Sequence, residues 1–134
     1  MAVAMRYGSN EFTRSGGASG GGSGGITMSL LWTNPSPTSS FAAQTVPIDL
    51  SGYDAIGIIP LFSTSVQYPA FMQIYINTPS TVVLNTYASD SNRQGGRTVT
   101  ISSNGLQFSA GNYNGSATNS NIIPYKVYGI KGIT

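Results

Sequence analysis

Apolar residues recur at every second position through most of the chain after Ile26, and this period constrains the fold more than any other feature. Successive side chains of an extended strand point to opposite faces, so such alternation marks strands with one face buried. Ile26, Met28, Leu30 and Trp32 fall on one face, with Thr27, Ser29 and Thr33 on the other. Asn34-Pro35-Ser36-Pro37 ends that strand, because two prolines remove ladder donors. Val46, Ile48 and Leu50 resume the alternation and the turn Ser51-Gly52 follows. Ala55 to Phe62 is apolar enough for a strand buried on both faces, with Pro60 at its end or at a bulge. Further strands are expected over 70–76, 81–87, 97–102, 106–109 and 122–130. Asn104-Gly105 sits between Val99 and Ile101 on one side and Leu106 and Phe108 on the other. A type I′ turn needs φ > 0 at both central residues, which Asn and Gly tolerate, so a tight hairpin is expected there. No stretch of about ten residues has capped apolar positions at helical spacing, and no repeat of fixed period is visible. The expected fold is all-β: an antiparallel, jelly-roll-like β-sandwich of about seven or eight strands.

Composition divides the chain near residue 25. Ser15 to Gly25 reads SGGASGGGSGG, a run of Gly, Ser and Ala that behaves as flexible coil. Residues 1–25 are therefore read as a flexible leader and Gly/Ser-rich linker, either a natural hinge between stalk and head or an engineered spacer after a tag-like leader. Residues 26–134 are the head, of a size suited to one sandwich domain.

Only 7% of the 134 residues are charged, with a net charge of +2, far below the roughly 25% of an ordinary soluble domain. Solubility must come from Ser, Thr, Asn and Gln. With no His and no Cys, the Ser-His-Asp triad, cysteine nucleophiles, structural zinc, haem and iron–sulfur clusters lose their chemical groups. No cofactor or metal is expected. Six dispersed basic residues make too weak a surface to track phosphates, so nucleic acid is not an expected partner. No apolar run approaches the ~20 residues of a membrane-spanning helix, and the N-terminus lacks a signal-peptide core.

Short motifs favour plain readings. Gly20, Gly22 and Gly25 match a dinucleotide fingerprint in spacing but stand between no strand and helix. Asp90-Ser-Asn-Arg-Gln-Gly95 resembles half a calcium loop, yet its twelfth position is Ile101 where a bidentate Glu belongs. Asn114-Gly115-Ser116 satisfies the glycosylation sequon and also reads as a loop. Glycoside hydrolysis generally needs two carboxyl groups; Asp49, Asp54 and Asp90 are the folded segment's only ones, and the first two flank a turn where Asp bonds to nearby backbone. No catalytic residue is assigned.

The aromatic residues lie in a segment rich in amides and hydroxyls. Sugars present apolar C–H faces and hydroxyl rims, which suit aromatic platforms beside such groups. Trp32, Phe62, Phe71 and Phe108 are expected in the core. Tyr68 and Tyr113, in loops beside Gln67, Asn112 and Asn114, are candidate ligand-binding residues. Arg93 and Arg97 bracket a Gly-rich turn, where they either clamp an anionic group or stand as solvated edge charges.

Three stretches carry a resemblance: LWTNPSPTSSFAAQTVPIDLSGYDAI over Leu31 to Ile56, GGRTVTISSNGLQF over Gly95 to Phe108, and NIIPYKVYGIK over Asn121 to Lys131. Together they resemble the C-terminal region of tail fibre and minor structural proteins of phages and prophages of Gram-positive bacteria. The resemblance implies a β-rich adhesive domain at the virion tail tip, made in the bacterial cytoplasm and commonly a homotrimer. It would attach to cell-surface polysaccharide or teichoic acid and contact other tail proteins. Asn34, Pro35, Pro124 and Tyr125 match the pattern as turn and packing positions. Two other functions stay open: a structural virion component that binds no glycan, and an enzyme that degrades surface polysaccharide.

Overall fold

The computed structural model describes residues 11–13, 25–87 and 94–133, and every regular element among them is a β-strand. In chain order these are β1 (Glu11–Thr13), β2 (Thr27–Thr33), β3 (Gln44–Val46), β4 (Ala55–Ser63), β5 (Gln73–Ile76), β6 (Ser80–Tyr87), β7 (Gln94–Ser102), β8 (Gly105–Phe108), β9 (Gly111–Tyr113), β10 (Ser116–Thr118) and β11 (Asn121–Lys131). They form two antiparallel sheets with a curled, half-barrel outline, an all-β sandwich-like fold. The first sheet runs β1-β2-β11-β4-β5; the second runs β10-β9-β7-β8-β3, with β6 on the other side of β7. Eleven strands replace the expected seven or eight. The additions β1, β9 and β10 have three residues each, too few for alternation to register, while the alternating segment Val46 to Leu50 enters a sheet only through β3, which ends at Val46. β1 falls within the expected leader and pairs with β2, Phe12 opposite Met28. The run 15–24 and the half calcium loop at 88–93 lie outside the described residues.

The main core fills the space between the sheets. Phe41, Val46, Ile48 and Leu50 meet Ile56, Ile58, Val99, Leu106, Phe108 and Val127 there. A second cluster, Met28, Ala55, Ile59, Tyr128 and Ile130, occupies the outer face of the first sheet. Strands β4 and β11 thus carry apolar side chains on both faces, as the run Ala55 to Phe62 implied. Fully burying one such aliphatic side chain stabilises by about 1.5–3 kcal/mol, so this pair of strands anchors the fold.

Two irregularities redirect side chains. β11 pairs Val127 with Trp32 and then Tyr128 with Leu30, leaving Leu31 as an unpaired bulge. An extra residue reverses which face follows. Ile26, Met28 and Leu30 accordingly pack with the outer cluster while Trp32 packs with the main core, not on their face as simple alternation predicts. Between β4 and β11, Pro60 stands opposite Pro124 and Tyr125 is bulged. Both missing N–H groups fall on one rung, which is how a central strand accommodates proline.

The hairpin of β7 and β8 forms with Ser102 opposite Gly105. Its turn differs from the expected type I′, because Gly105 has φ +122° while Asn104 is not at positive φ. A Cβ on Gly105 would run into the Val46 carbonyl oxygen, so closeness to β3 also demands glycine. The turn with both central residues at positive φ is Asn114-Gly115, at 52° and 81°, between Tyr113 and Ser116 of β9 and β10.

Candidate functional site: the outer face of the second sheet

Alternation along β7 sends Gly95, Arg97, Val99 and Ile101 inward and Gly96, Thr98 and Thr100 outward. The register aligns the outward residues into rows. Thr81, Thr100, Gln107 and Thr45 form one row across β6, β7, β8 and β3, with the Thr81 and Thr100 hydroxyls 3.0 Å apart. Asn85, Gly96, Asn112 and Ala117 form another across β6, β7, β9 and β10. Val83 and Thr98 pair between them.

Above the second row lies a depression of about 890 Å³. Its floor is low because the outward-facing Gly96 has no side chain, and glycine within a strand marks a place of close approach. Asn85 and Val83 wall one side; Asn112, Asn114, Gly115 and Ala117 of the β9–β10 hairpin wall the other. Asn112 is fixed by its turn, its Oδ1 accepting the Gly115 N–H at 3.0 Å. The lining groups are amides, hydroxyls, small apolar surfaces and backbone, and Arg97 is the single ionisable residue among those described.

Arg97 lies beneath the floor with 1% of its surface exposed. Its Nε donates to the Ile122 carbonyl (2.9 Å), Nη1 to Phe41 (2.9 Å) and Ser109 (2.6 Å), and Nη2 to Asn121 (3.1 Å). The guanidinium also sits 5.2 Å from the centre of the Phe41 ring. Burial brings its pKa down to about 10, below the ordinary guanidinium range, because a charge loses hydration there. Four carbonyls from three segments distant in sequence converge on one side chain. One of the residues that supply them, Ile122, holds φ +50°, a strained value for a β-branched residue, and its carbonyl is pinned by Nε.

Arg97 is therefore a buried staple. It is neither an anion clamp nor a solvated edge charge, because its donors are committed to carbonyls. Arg93 lies outside the described residues. Of the other predicted site residues, Asn112 and Asn114 line the depression. Tyr113 stands opposite the inward Gly95, half-buried and on the face away from Asn112. Tyr68 belongs to the β4–β5 loop, 75% exposed and away from the depression. Phe108 is buried as expected, whereas Phe71 is 82% exposed, a correction to its expected place in the core. Asn85, Thr98 and Ser109 were missed as lining residues. The signal for the first two was the polar identity of outward positions on their strands; their proximity depends on register.

The carboxylates have structural partners. Asp49 Oδ1 accepts from the Ser51 hydroxyl (2.6 Å) and N–H (3.0 Å), and the hydroxyl chiefly, then the N–H, holds its pKa below the usual value. Asp54 Oδ2 accepts from the N–H groups of Gly132 (2.7 Å) and Ile133 (3.3 Å). Asp90 lies outside the described residues. No protein-family model, curated protein or solved structure matches this chain.

Proposed function

We propose that this chain is the receptor-binding head of a phage or prophage tail fibre, a non-enzymatic module that attaches to glycans of the bacterial surface. The observation that carries the binding role is the depression beside Gly96, lined by amides and hydroxyls. A saccharide hydroxyl both donates and accepts, as the Asn and Thr side chains around it do. The tail-tip setting is supported by the resemblance of Leu31–Ile56, Gly95–Phe108 and Asn121–Lys131 to such heads. In a homotrimer at the tail tip, linked sites raise effective concentration, so weak single contacts suffice for attachment.

A glycan array with pull-down from Gram-positive cell walls tests this reading. The wild-type chain is expected to be retained. Ala117→Trp fills the depression from an exposed position and is expected to abolish retention, with folding stability within about 0.5 kcal/mol of wild type. No retention of wild type on any glycan or wall would overturn glycan attachment.

A second reading, a structural virion component, is favoured by one observation. Phe71 is 82% exposed and Tyr68 75% on the β4–β5 loop, and Ile76 is 62% exposed on the neighbouring strand. Exposed apolar surface of this kind marks protein contacts. Retention by other tail proteins, lost in Phe71→Ser and unaffected by Ala117→Trp, is the result that reading predicts.

A further inference from the structure

We infer, on the glycan-binding reading above, that the depression is one end of a continuous track that holds an extended, uncharged polysaccharide chain and ends against Trp32. A second hollow of about 280 Å³ lies over the row of Thr100, Gln107 and Thr45. It shares Thr98 and Ser109 with the first depression. A third, of about 290 Å³, is walled by Trp32, Pro35 and Pro47 and shares Gln44 and Thr45 with the second. The three concavities are therefore joined through common residues.

The dimensions suit a polymer. From Gly96 to Thr100 along β7 is roughly 13 Å at 3.3 Å per residue, and crossing β8 to the β3 edge adds roughly 10 Å at 4.8 Å per strand. The two legs are perpendicular, so the diagonal from end to end is roughly 16 Å, a length that takes a few sugars. Chemistry changes along it in one direction, from amide and hydroxyl rows to an indole braced edge-on by Phe41 at 6.3 Å between ring centres. Trp32 is half-buried, so its exposed part offers a rigid surface for the C–H face of a sugar.

The same lining selects against teichoic acid, whose repeats each carry a phosphate. Anion recognition uses cations or convergent N–H donors, and the one cation among the described lining residues is the buried, carbonyl-bound Arg97. The occupant is thus a neutral wall polysaccharide.

Trp32 is the only tryptophan in the chain, so its fluorescence reports the far end directly. The full chain is titrated with neutral polysaccharide released from Gram-positive cell walls by hydrofluoric acid and fractionated by length, and separately with intact wall teichoic acid. Short fragments are expected to bind without moving Trp32 emission. Long ones should bind about 10-fold or more tightly and shift it. Gln107→Trp, a block in the middle hollow read against the native emission by difference, should erase the length dependence and leave short-fragment affinity unchanged. Affinity for the neutral chain should change less than about 2-fold between 50 and 200 mM salt, where phosphate-led binding falls steeply. Affinity independent of length, an unmoved Trp32 signal with long chains, or tighter salt-sensitive binding of teichoic acid would overturn the track while leaving glycan attachment standing. Failure of every saccharide to bind overturns both readings.

Discussion

The outer faces of the two sheets have opposite chemistry. On the first, Ala55, Ile59, Tyr128 and Ile130 are buried, and Ile74 and Ile76, which pair with Gly57 and Ala55, continue the apolar surface to the β5 edge, 44% and 62% exposed. On the second, the corresponding positions are Thr81, Thr98, Thr100, Gln107 and Asn112. A sheet face that meets water needs only one apolar side, whereas an apolar outer face needs a cover. Met72 supplies part of that cover, its Sδ lying where a Cβ on Gly57 would be crowded at 2.5 Å. On the proposed reading the two faces take different partners: protein for the first sheet, and water or hydroxyl-bearing ligands for the second.

The largest expected effect comes from beneath the polar face. Arg97→Ala removes the donor from four carbonyls at once; with about 1–3 kcal/mol for each buried group left unsatisfied, urea denaturation should show a loss of more than about 3 kcal/mol. Next, Ile59→Ala on the outer face of the first sheet should cost about 2–4 kcal/mol, while Thr100→Ala at an outward position of the second stays within about 0.5 kcal/mol. Equal costs at the two positions would break the contrast between the faces. Third, Phe71→Ser combined with Ile76→Thr should abolish any protein contact made through the exposed apolar surface of the first sheet, read as a fall in mass by light scattering, with the urea midpoint nearly unchanged.

The smallest effect lies in the alkaline limb of stability. Burial pushes the Tyr75 phenol up to about 12 from an ordinary 10.0. Between these values the unfolded chain loses the proton that the folded chain keeps, so stability falls as pH rises from about 10 to 12. Arg97 acts in the opposite sense. Its folded pKa of about 10 lies below that of an unfolded arginine, so above about pH 10 the unfolded chain holds more protons and this group's contribution to stability rises with pH. Tyr75→Phe should therefore flatten the alkaline loss, measurable as the pH dependence of the denaturation midpoint, with no change between pH 6 and 9.

The sandwich-like class and the long strands were legible because period 2 is a local property. Val46, Ile48 and Leu50 are all buried where alternation puts them. The side-chain placements that escaped depend on distant pairing. Nothing local in Leu31-Trp32 shows that β11 skips Leu31, and Asn104-Gly105 and Asn114-Gly115 are the same dipeptide with different backbones because register puts Ser103-Asn104 at the centre of the first turn and Asn114-Gly115 at the centre of the second. Arg97 read as a surface charge because its acceptors, at Phe41, Ser109, Asn121 and Ile122, are brought to it only by the fold. For the site, Asn112 and Asn114 were found through composition. Asn85 and Thr98 become neighbours of Asn112 only when register is known.

The link between the open edges of the sheets has a further consequence. Gln73 of β5 donates from Nε2 to the Asn85 carbonyl (2.5 Å) and accepts the Asn85 N–H at Oε1 (2.9 Å), while the Tyr75 hydroxyl donates to the Val83 carbonyl (2.7 Å). One side-chain amide thus occupies the rung that a foreign strand would need to zip onto β6. Proteins commonly guard such borders with lysine. A chain so poor in charge guards this one by self-complementation, so that copies brought close together at high concentration do not fuse into fibrils along this border.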